Sequence, residues 1–178
     1  MHKDPALAAL NIKLLVLDAD GVLTDGGLYY DPDGRIMKRF DVQDGLGIKL
    51  AMAAGLEVAV ITGLNSGAVE KRVKELGITD YFSGSTRKMP FIRQMSREKN
   101  LELTQVAYLG DDWVDAGPMN CVGLPMAVAN AQPEIRKLAI WTSTQRGGHG
   151  AVRQAVRFIL NSQGRLDKEW QKWIQDHD

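Results

Sequence analysis

The stretch Leu14-Leu15-Val16-Leu17-Asp18-Ala19-Asp20-Gly21-Val22-Leu23-Thr24-Asp25 decides the fold. It is a short apolar run that ends abruptly in two acids one residue apart, followed by a glycine. An apolar run of this length bounded by turn signals suits a strand buried on both faces, as in a parallel sheet. Asp18 and Asp20 stand where that strand must stop, and at i and i+2 their side chains leave the same face. Open α/β sheets place their ligands at the carboxyl ends of strands. A lone Asp-x-Asp is more often a turn cap, so its meaning rests on what the rest of the chain supplies.

Outward from this run, strand-like and helix-like patterns alternate. Residues 26–40 hold two extended segments around Asp31-Pro32-Asp33-Gly34, which predicts a β-hairpin. Residues 44–54 read as a helix closed at Gly55, and Glu57-Val-Ala-Val-Ile61 as a second buried strand ending in Thr62-Gly63. Residues 66–76 form an amphipathic helical pattern stopped by Gly77, Tyr81-Phe82 a short strand, and residues 89–100 another helix. Gln105-Val-Ala-Tyr-Leu-Gly-Asp111-Asp112 is a third strand ending in acids. Residues 124–129 and 139–142 are weaker strand candidates, with a helix starting near Pro133 between them. Residues 150–163 place Val152, Ala155, Val156, Ile159 and Leu160 at helical spacing, and residues 167–175 form a short amphipathic helix carrying Trp170, Trp173 and Ile174. The alternation implies βαβ units, hence an α/β, Rossmann-like three-layer fold with a mainly parallel central sheet.

Composition bounds the partners. The 178 residues suffice for one domain with a substantial core, and 44% apolar with 25% charged residues is the balance of a globular chain. Twenty-two basic residues offset twenty-two acidic ones, so no net field draws in nucleic acid or an anionic membrane, and neither partner is expected. No run of eighteen apolar residues occurs, and the first ten residues lack a sustained apolar stretch, which argues against a spanning helix and a secretory signal. The single cysteine, Cys121, excludes an intrachain disulfide, fits a reducing cytoplasm and is read as a packing residue. His2, His149 and His177 are scattered, so a zinc site is not expected and any metal should be a hard cation held by oxygen.

Four element boundaries carry the chemistry. They are Asp18 and Asp20, Thr62-Gly63, Lys88 at the head of a helix, and Gly110-Asp111-Asp112 with Asp115 following. At one sheet edge they would gather up to five carboxylates, one hydroxyl and one ammonium. At about 4 Å and an effective dielectric near 20, each like pair of carboxylates costs roughly 4 kcal/mol. One lysine does not offset that. Mg2+ is the natural complement, because it takes carboxylates together with waters and phosphate oxygens. Thr62, Gly63 and Lys88 then read as phosphate holders: a hydroxyl, an approachable N–H and a point charge. Singly, each feature has a commoner reading, with Thr62-Gly63 a strand exit, Lys88 a solvated side chain and Asp111-Asp112 helix caps. Their order and type together favour the pocket.

Asp18-Ala-Asp20-Gly-Val-Leu-Thr24, Thr62-Gly63, Lys88 and Gly110-Asp111-Asp112-x-x-Asp115 resemble the four motifs of the haloacid dehalogenase superfamily of phosphohydrolases. Phe40-Asp-Val-Gln-Asp-Gly-Leu-Gly-Ile48, Val69-Glu-Lys-Arg-Val-Lys-Glu-Leu-Gly-Ile78 and Gly147-Gly-His-Gly-Ala-Val-Arg153 narrow the resemblance to the phosphatases of 3-deoxy-D-manno-octulosonate 8-phosphate, over residues 12–164. The resemblance implies that Asp18 is the nucleophile, forming an aspartyl-phosphate, and that Asp20 protonates the leaving alkoxide and then activates water. It implies Mg2+ at Asp18, the backbone carbonyl of Asp20 and Asp111, with Asp112 and Asp115 acting through water or as orienting groups. Thr62, Gly63 and Lys88 would hold the transferring phosphoryl group, and Arg153 would contact an anionic sugar acid. The resemblance further implies a small β-hairpin flap at residues 26–40 in place of a large cap. It implies a cytoplasmic homotetramer serving lipopolysaccharide synthesis, with Tyr29, Tyr30, Ile36 and Met37 at subunit interfaces. Residues 1–11 and 165–178 then flank the phosphatase domain as an N-terminal extension and a C-terminal amphipathic tail.

Two positions depart from that pattern. The family commonly carries arginine after Thr-Gly, where this chain has Leu64, and glutamate after Ala-Val-Arg, where it has Gln154. Leucine offers no bidentate donor to a carboxylate. A phosphatase of nine-carbon, sialic-acid-type sugar acid 9-phosphates is therefore the alternative substrate reading, and a catalytically idle assembly domain the non-enzymatic one. Intact Asp18, Asp20, Lys88 and Asp111 weigh against the latter.

Overall fold

The computed structural model describes residues 4–176. Its centre is a six-stranded, wholly parallel sheet. The strands are β1 (Leu14–Leu17), β4 (Glu57–Ile61), β5 (Asp80–Phe82), β6 (Val106–Gly110), β7 (Leu124–Ala127) and β8 (Trp141–Thr142), in the spatial order β5-β4-β1-β6-β7-β8. The apolar run of the nucleophile segment is β1, and all four of its residues are buried. A central parallel strand has helices on both faces and no water to meet, which is why it tolerates no polar residue until it ends.

The helices among the described residues are α1 (Pro5–Ala9), α2 (Val42–Ala53), α3 (Gly67–Leu76), α4 (Met89–Glu98), α5 (Ala116–Met119), α6 (Pro133–Leu138), α7 (Ala151–Ser162) and α8 (Leu166–Asp176). Helices α1, α2, α3, α7 and α8 pack among themselves, as do α4, α5 and α6, and the two groups flank the sheet. The flap is a separate antiparallel pair, β2 (Tyr29–Tyr30) and β3 (Ile36–Met37). Its turn is tied by Asp31, whose carboxylate accepts from Asp33 N and Arg35 N at 3.0 and 2.7 Å. No helix among the described residues is long and apolar enough to cross a membrane.

Register sets the site. Leu17 lies opposite Val60 on one side and Leu109 on the other, so Asp18, Thr62 and Asp111 all emerge at the carboxyl edge within a residue of one another. The neighbours of β1 come from later in the chain on either side, so the edge is a topological switch point.

Asp4 caps α1, and Ala9 and Ile12 belong to the core. Gln163 at the end of α7 donates to the carbonyls of Ala9 and Ile12 at 2.9 and 2.8 Å, tying the two ends of the domain together. Residues 1–3, with His2, lie outside the described residues, as do His177 and Asp178 of the tail. Cys121, read as a packing residue, is an exposed free thiol. It follows the short helix α5 at a turn, where Pro118 and Met119 take the buried positions instead.

Candidate active site

Beyond β1 the backbone winds through Ala19–Leu23 in an irregular turn, with Asp20 extended and Gly21 at φ 88°. A β-carbon at Gly21 would lie 2.0 Å from Asp111 Oδ2, so both the conformation and the space demand glycine. This turn lets Asp18 continue the strand while Asp20 swings aside.

Asp18 is 4% exposed, and its Oδ1 lies 2.7 Å from Lys88 Nζ. Lys88 stands at the start of α4, is 1% exposed and is among the largest buried side chains, not a solvated surface residue. Its second partner is Asp115, at 2.6 Å and likewise buried. Asp115 is fully engaged. One oxygen accepts from Lys88 and from the buried Tyr108 hydroxyl at 2.6 Å, the other from the backbone N–H groups of Asp111 and Asp112 at 2.9 and 3.3 Å.

Asp18, Asp111 and Asp115 can bring one carboxylate oxygen each within 4.8 Å of one another. Burial first, then the charge of Asp115, pushes the Asp18 carboxyl up to about 7 against the pull of Lys88. Burial and then the charges of Asp18, Asp115 and Asp112 push Asp111 up to about 8. Burial opposes the charge of Lys88, but the attraction of Asp18 and Asp115 outweighs it and holds the ammonium above its ordinary value. Three acids around one ammonium leave a deficit of positive charge. Asp111 Oδ1 makes the deficit concrete, being buried with no hydrogen-bond partner. Asp18 and Asp111 thus fit the oxygen donors of a hard divalent cation, while the oxygens of Asp115 are committed elsewhere.

The remaining expected residues fall into two groups. Thr62 is 1% exposed, and its hydroxyl lies 3.5 Å from Asp20 Oδ2, with Gly63 next in line at the strand exit. Asp112 and Arg153 are placed elsewhere. Asp112 is exposed and its carboxylate accepts from Trp113 N at 2.7 Å, capping the short 3-10 turn Trp113–Asp115, so it stands outside the carboxylate cluster that Asp115 enters. The Arg153 side chain lines a cleft of about 380 Å³ between α2, α7 and α8, with Leu46, Leu50, Trp170 and Trp173, and does not join the acids. What does reach the nucleophile turn from that segment is backbone. Gly147 packs so closely that a β-carbon there would lie 1.6 Å from Gly21 O, and Gly148 N donates to Val22 O at 2.9 Å.

Two side chains of the site carry no mark in the sequence. Tyr108 lay inside an apolar strand with nothing to mark its hydroxyl as a partner of Asp115. Lys38, just past β3, forms an ion pair with Asp20 Oδ1, its side chain only 2% exposed. In sequence it is one of several basic residues in an otherwise exposed hairpin.

A parallel sheet whose central strand delivers a buried aspartate, with a lysine and further acids from neighbouring strand ends, is the arrangement expected of a phosphohydrolase of the haloacid dehalogenase superfamily. No family model matches the chain. The 3-deoxy-D-manno-octulosonate 8-phosphate phosphatase KdsC of Escherichia coli K12 is 41% identical over 165 residues, which cover 93% of this chain and 88% of that protein. A putative HAD superfamily (subfamily III A) hydrolase from Legionella pneumophila superposes with a TM-score of 0.93 at 39% identity, over 97% and 94% of the two chains. The 3-deoxy-D-manno-octulosonate 8-phosphate phosphatase of Moraxella catarrhalis, solved with magnesium, phosphate and KDO, does so with a TM-score of 0.92 at 34% identity, over 95% and 97%. The chain belongs to the 3-deoxy-D-manno-octulosonate 8-phosphate phosphatase family and is a phosphoric monoester hydrolase.

Proposed function

We propose that the chain hydrolyses 3-deoxy-D-manno-octulosonate 8-phosphate in a Mg2+-dependent reaction through an aspartyl-phosphate at Asp18. The observation that carries this reading is the buried Asp18–Lys88–Asp115 arrangement beside the unpartnered Asp111 Oδ1, in a chain 34% identical to one solved with magnesium, phosphate and KDO.

Asp18, Asp111 and the backbone carbonyl of Asp20 would hold the cation. When bound, it supplies positive charge for the phosphoryl oxygens and for the acids around them. The chain's own groups do the rest. Lys88 fixes one oxygen of Asp18, leaving the other to attack phosphorus in line. The P–O bond to the sugar breaks as the Asp18 O–P bond forms, and Asp20 gives its proton to the departing alkoxide. Water then attacks phosphorus, Asp20 takes the proton, and Asp18 is released. Thr62 and Lys88 stand beside the transferring group, and Tyr108 and the backbone of Asp111 and Asp112 keep Asp115 in place to hold Lys88.

A homotetramer fits the flap. Leu28, Tyr29, Tyr30, Ile36 and Met37 are all exposed, a larger apolar group than a free two-stranded hairpin normally shows water. Residues 12–164 would form the catalytic domain and residues 26–40 its flap, in a cytoplasmic enzyme serving lipopolysaccharide synthesis. Leu64, 53% exposed just past β4, stands where the family commonly carries arginine, so a nonulosonate 9-phosphate is kept as the second substrate reading. Phosphate release from both sugar-acid phosphates, assayed side by side with Mg2+, decides between them. Activity on neither would reject both.

A further inference from the structure

Asp20 is held by a side chain that no motif marks. Lys38 follows β3 directly, at the root of the flap. Its ammonium lies against Asp20 Oδ1 with the side chain 2% exposed, while Asp20 itself is 27% exposed. Asp20 Oδ2 points the other way, 3.5 Å from the Thr62 hydroxyl. The two carboxylate oxygens therefore have different surroundings.

The arm that carries Lys38 is anchored on both sides of it. Phe40 bridges to Thr24, closing the base of the flap. Arg39 points to the opposite side of the extended arm and donates to the Gly148 carbonyl. On the proximal side, β3 pairs with β2 through Met37–Tyr29 and Ile36–Tyr30. Lys38 is thus fixed only as well as the flap is seated, and Asp20 follows an irregular turn that does not by itself fix its side chain.

From this geometry we infer that Lys38 is the positioning residue of the general acid, making the aim of Asp20 depend on the seating of the flap. The inference rests on the phosphatase reading. With Oδ1 occupied by the ammonium, Oδ2 is the oxygen that delivers the proton to the sugar oxygen as the P–O bond breaks, and that takes it back from water in the second step. A displaced acid is costly, since a misplacement of about 1 Å can lower a rate roughly 100-fold. The loss falls on leaving groups that need a proton. A nitrophenolate leaves without one, so the first step on a nitrophenyl phosphate should be indifferent to Lys38.

The test is the leaving-group dependence of the first step, read as pre-steady-state bursts with Mg2+ on a series of alkyl and aryl phosphates. The proteins are wild type, Lys38→Met and Lys38→Arg. Lys38→Met should slow the burst with alkyl phosphates about 100-fold and leave the nitrophenyl phosphate burst within about 2-fold, a steeper dependence on leaving-group acidity. Lys38→Arg, which keeps the charge and a donor, should recover most of the difference. A Lys38→Met dependence parallel to wild type, or an equal loss on every substrate, overturns the inference. Should Lys38→Met fail to fold, Lys38→Gln is read by the same criterion. Wild-type protein that releases phosphate from none of the series removes the phosphatase reading instead, so the two failures are distinguishable.

Discussion

The carboxylate of Asp115 holds the ammonium of Lys88 at 2.6 Å, with neither side chain exposed to solvent. Removing Asp115 leaves Lys88 only Asp18 as a partner and orphans the Tyr108 hydroxyl and the N–H groups of Asp111 and Asp112, and each buried unsatisfied donor costs about 1–3 kcal/mol. Asp115→Ala should therefore lose about 3 kcal/mol or more in urea unfolding, and turnover should fall with it because Lys88 is no longer held in place beside Asp18. Asp112→Ala removes an exposed cap on a single turn and should cost about 1 kcal/mol, with most activity retained. Equal losses in the two variants would contradict the placement of Asp115 inside the site and Asp112 outside it.

Protons and metal should compete at the acids. Asp18 and Asp111 have values of about 7 and about 8 in the folded chain against an ordinary 3.8. Over that window the folded state binds more protons than the unfolded one, so metal-free stability falls as pH rises toward 8. Mg2+ displaces those protons, and its stabilising effect should grow with pH. Thermal melts in chelator and in excess Mg2+, at about pH 5.5 and about pH 8.5, measure this. The Mg2+ shift should be several degrees larger at the higher pH, and Asp111→Asn should flatten the metal-free decline. A Mg2+ shift equal at both values would mean that the cation binds elsewhere.

Helix α7 borrows its cap from α2. Its own N-cap is Gly150, and the Asp44 carboxylate accepts from Gly150 N and Arg153 N at 3.2 and 2.7 Å. Asp44→Ala should cost about 1–2 kcal/mol in chemical denaturation. It should also raise amide exchange over residues 147–153, the segment whose glycines press on the nucleophile turn. Unchanged exchange there would separate the cap from the strap.

Glycines with and without room give an internal control. A methyl at Gly147 would overlap the Gly21 carbonyl, and neither partner is a side chain that can turn away. Gly147→Ala should abolish activity by displacing the Asp18–Asp20 turn. Gly117, in α5 with nothing near the added carbon, should tolerate alanine and gain up to about 1 kcal/mol. Comparable activity in the two variants would contradict the close approach of the 147–148 segment.

Much of this was legible because buried parallel strands have to be apolar until they end. Leu14–Leu17 and Val106–Gly110 announced both their position and the acids beyond them. The fold of the short strand β8 and of α1 was harder, since two and five residues carry little periodicity. Which of two neighbouring acids enters the site was not readable. Asp112 and Asp115 both follow Gly110-Asp111, and only the tight turn at Trp113–Asp115 turns one inward and leaves the other as a cap. Lys38 was hidden for a different reason. Its partner is eighteen residues away, and pairing across a flap leaves no spacing rule. Arg153 shows the converse, a motif residue whose backbone N–H binds Asp44 while its side chain faces a different cleft.

In the proposed reaction Asp18 carries the phosphoryl group. Phosphate release from 3-deoxy-D-manno-octulosonate 8-phosphate with Mg2+, compared between wild type and Asp18→Asn, tests it most directly. Wild type should release phosphate robustly, and the folded variant should lose at least about 10³-fold. Asp18→Asn that turns over at the wild-type rate would contradict it.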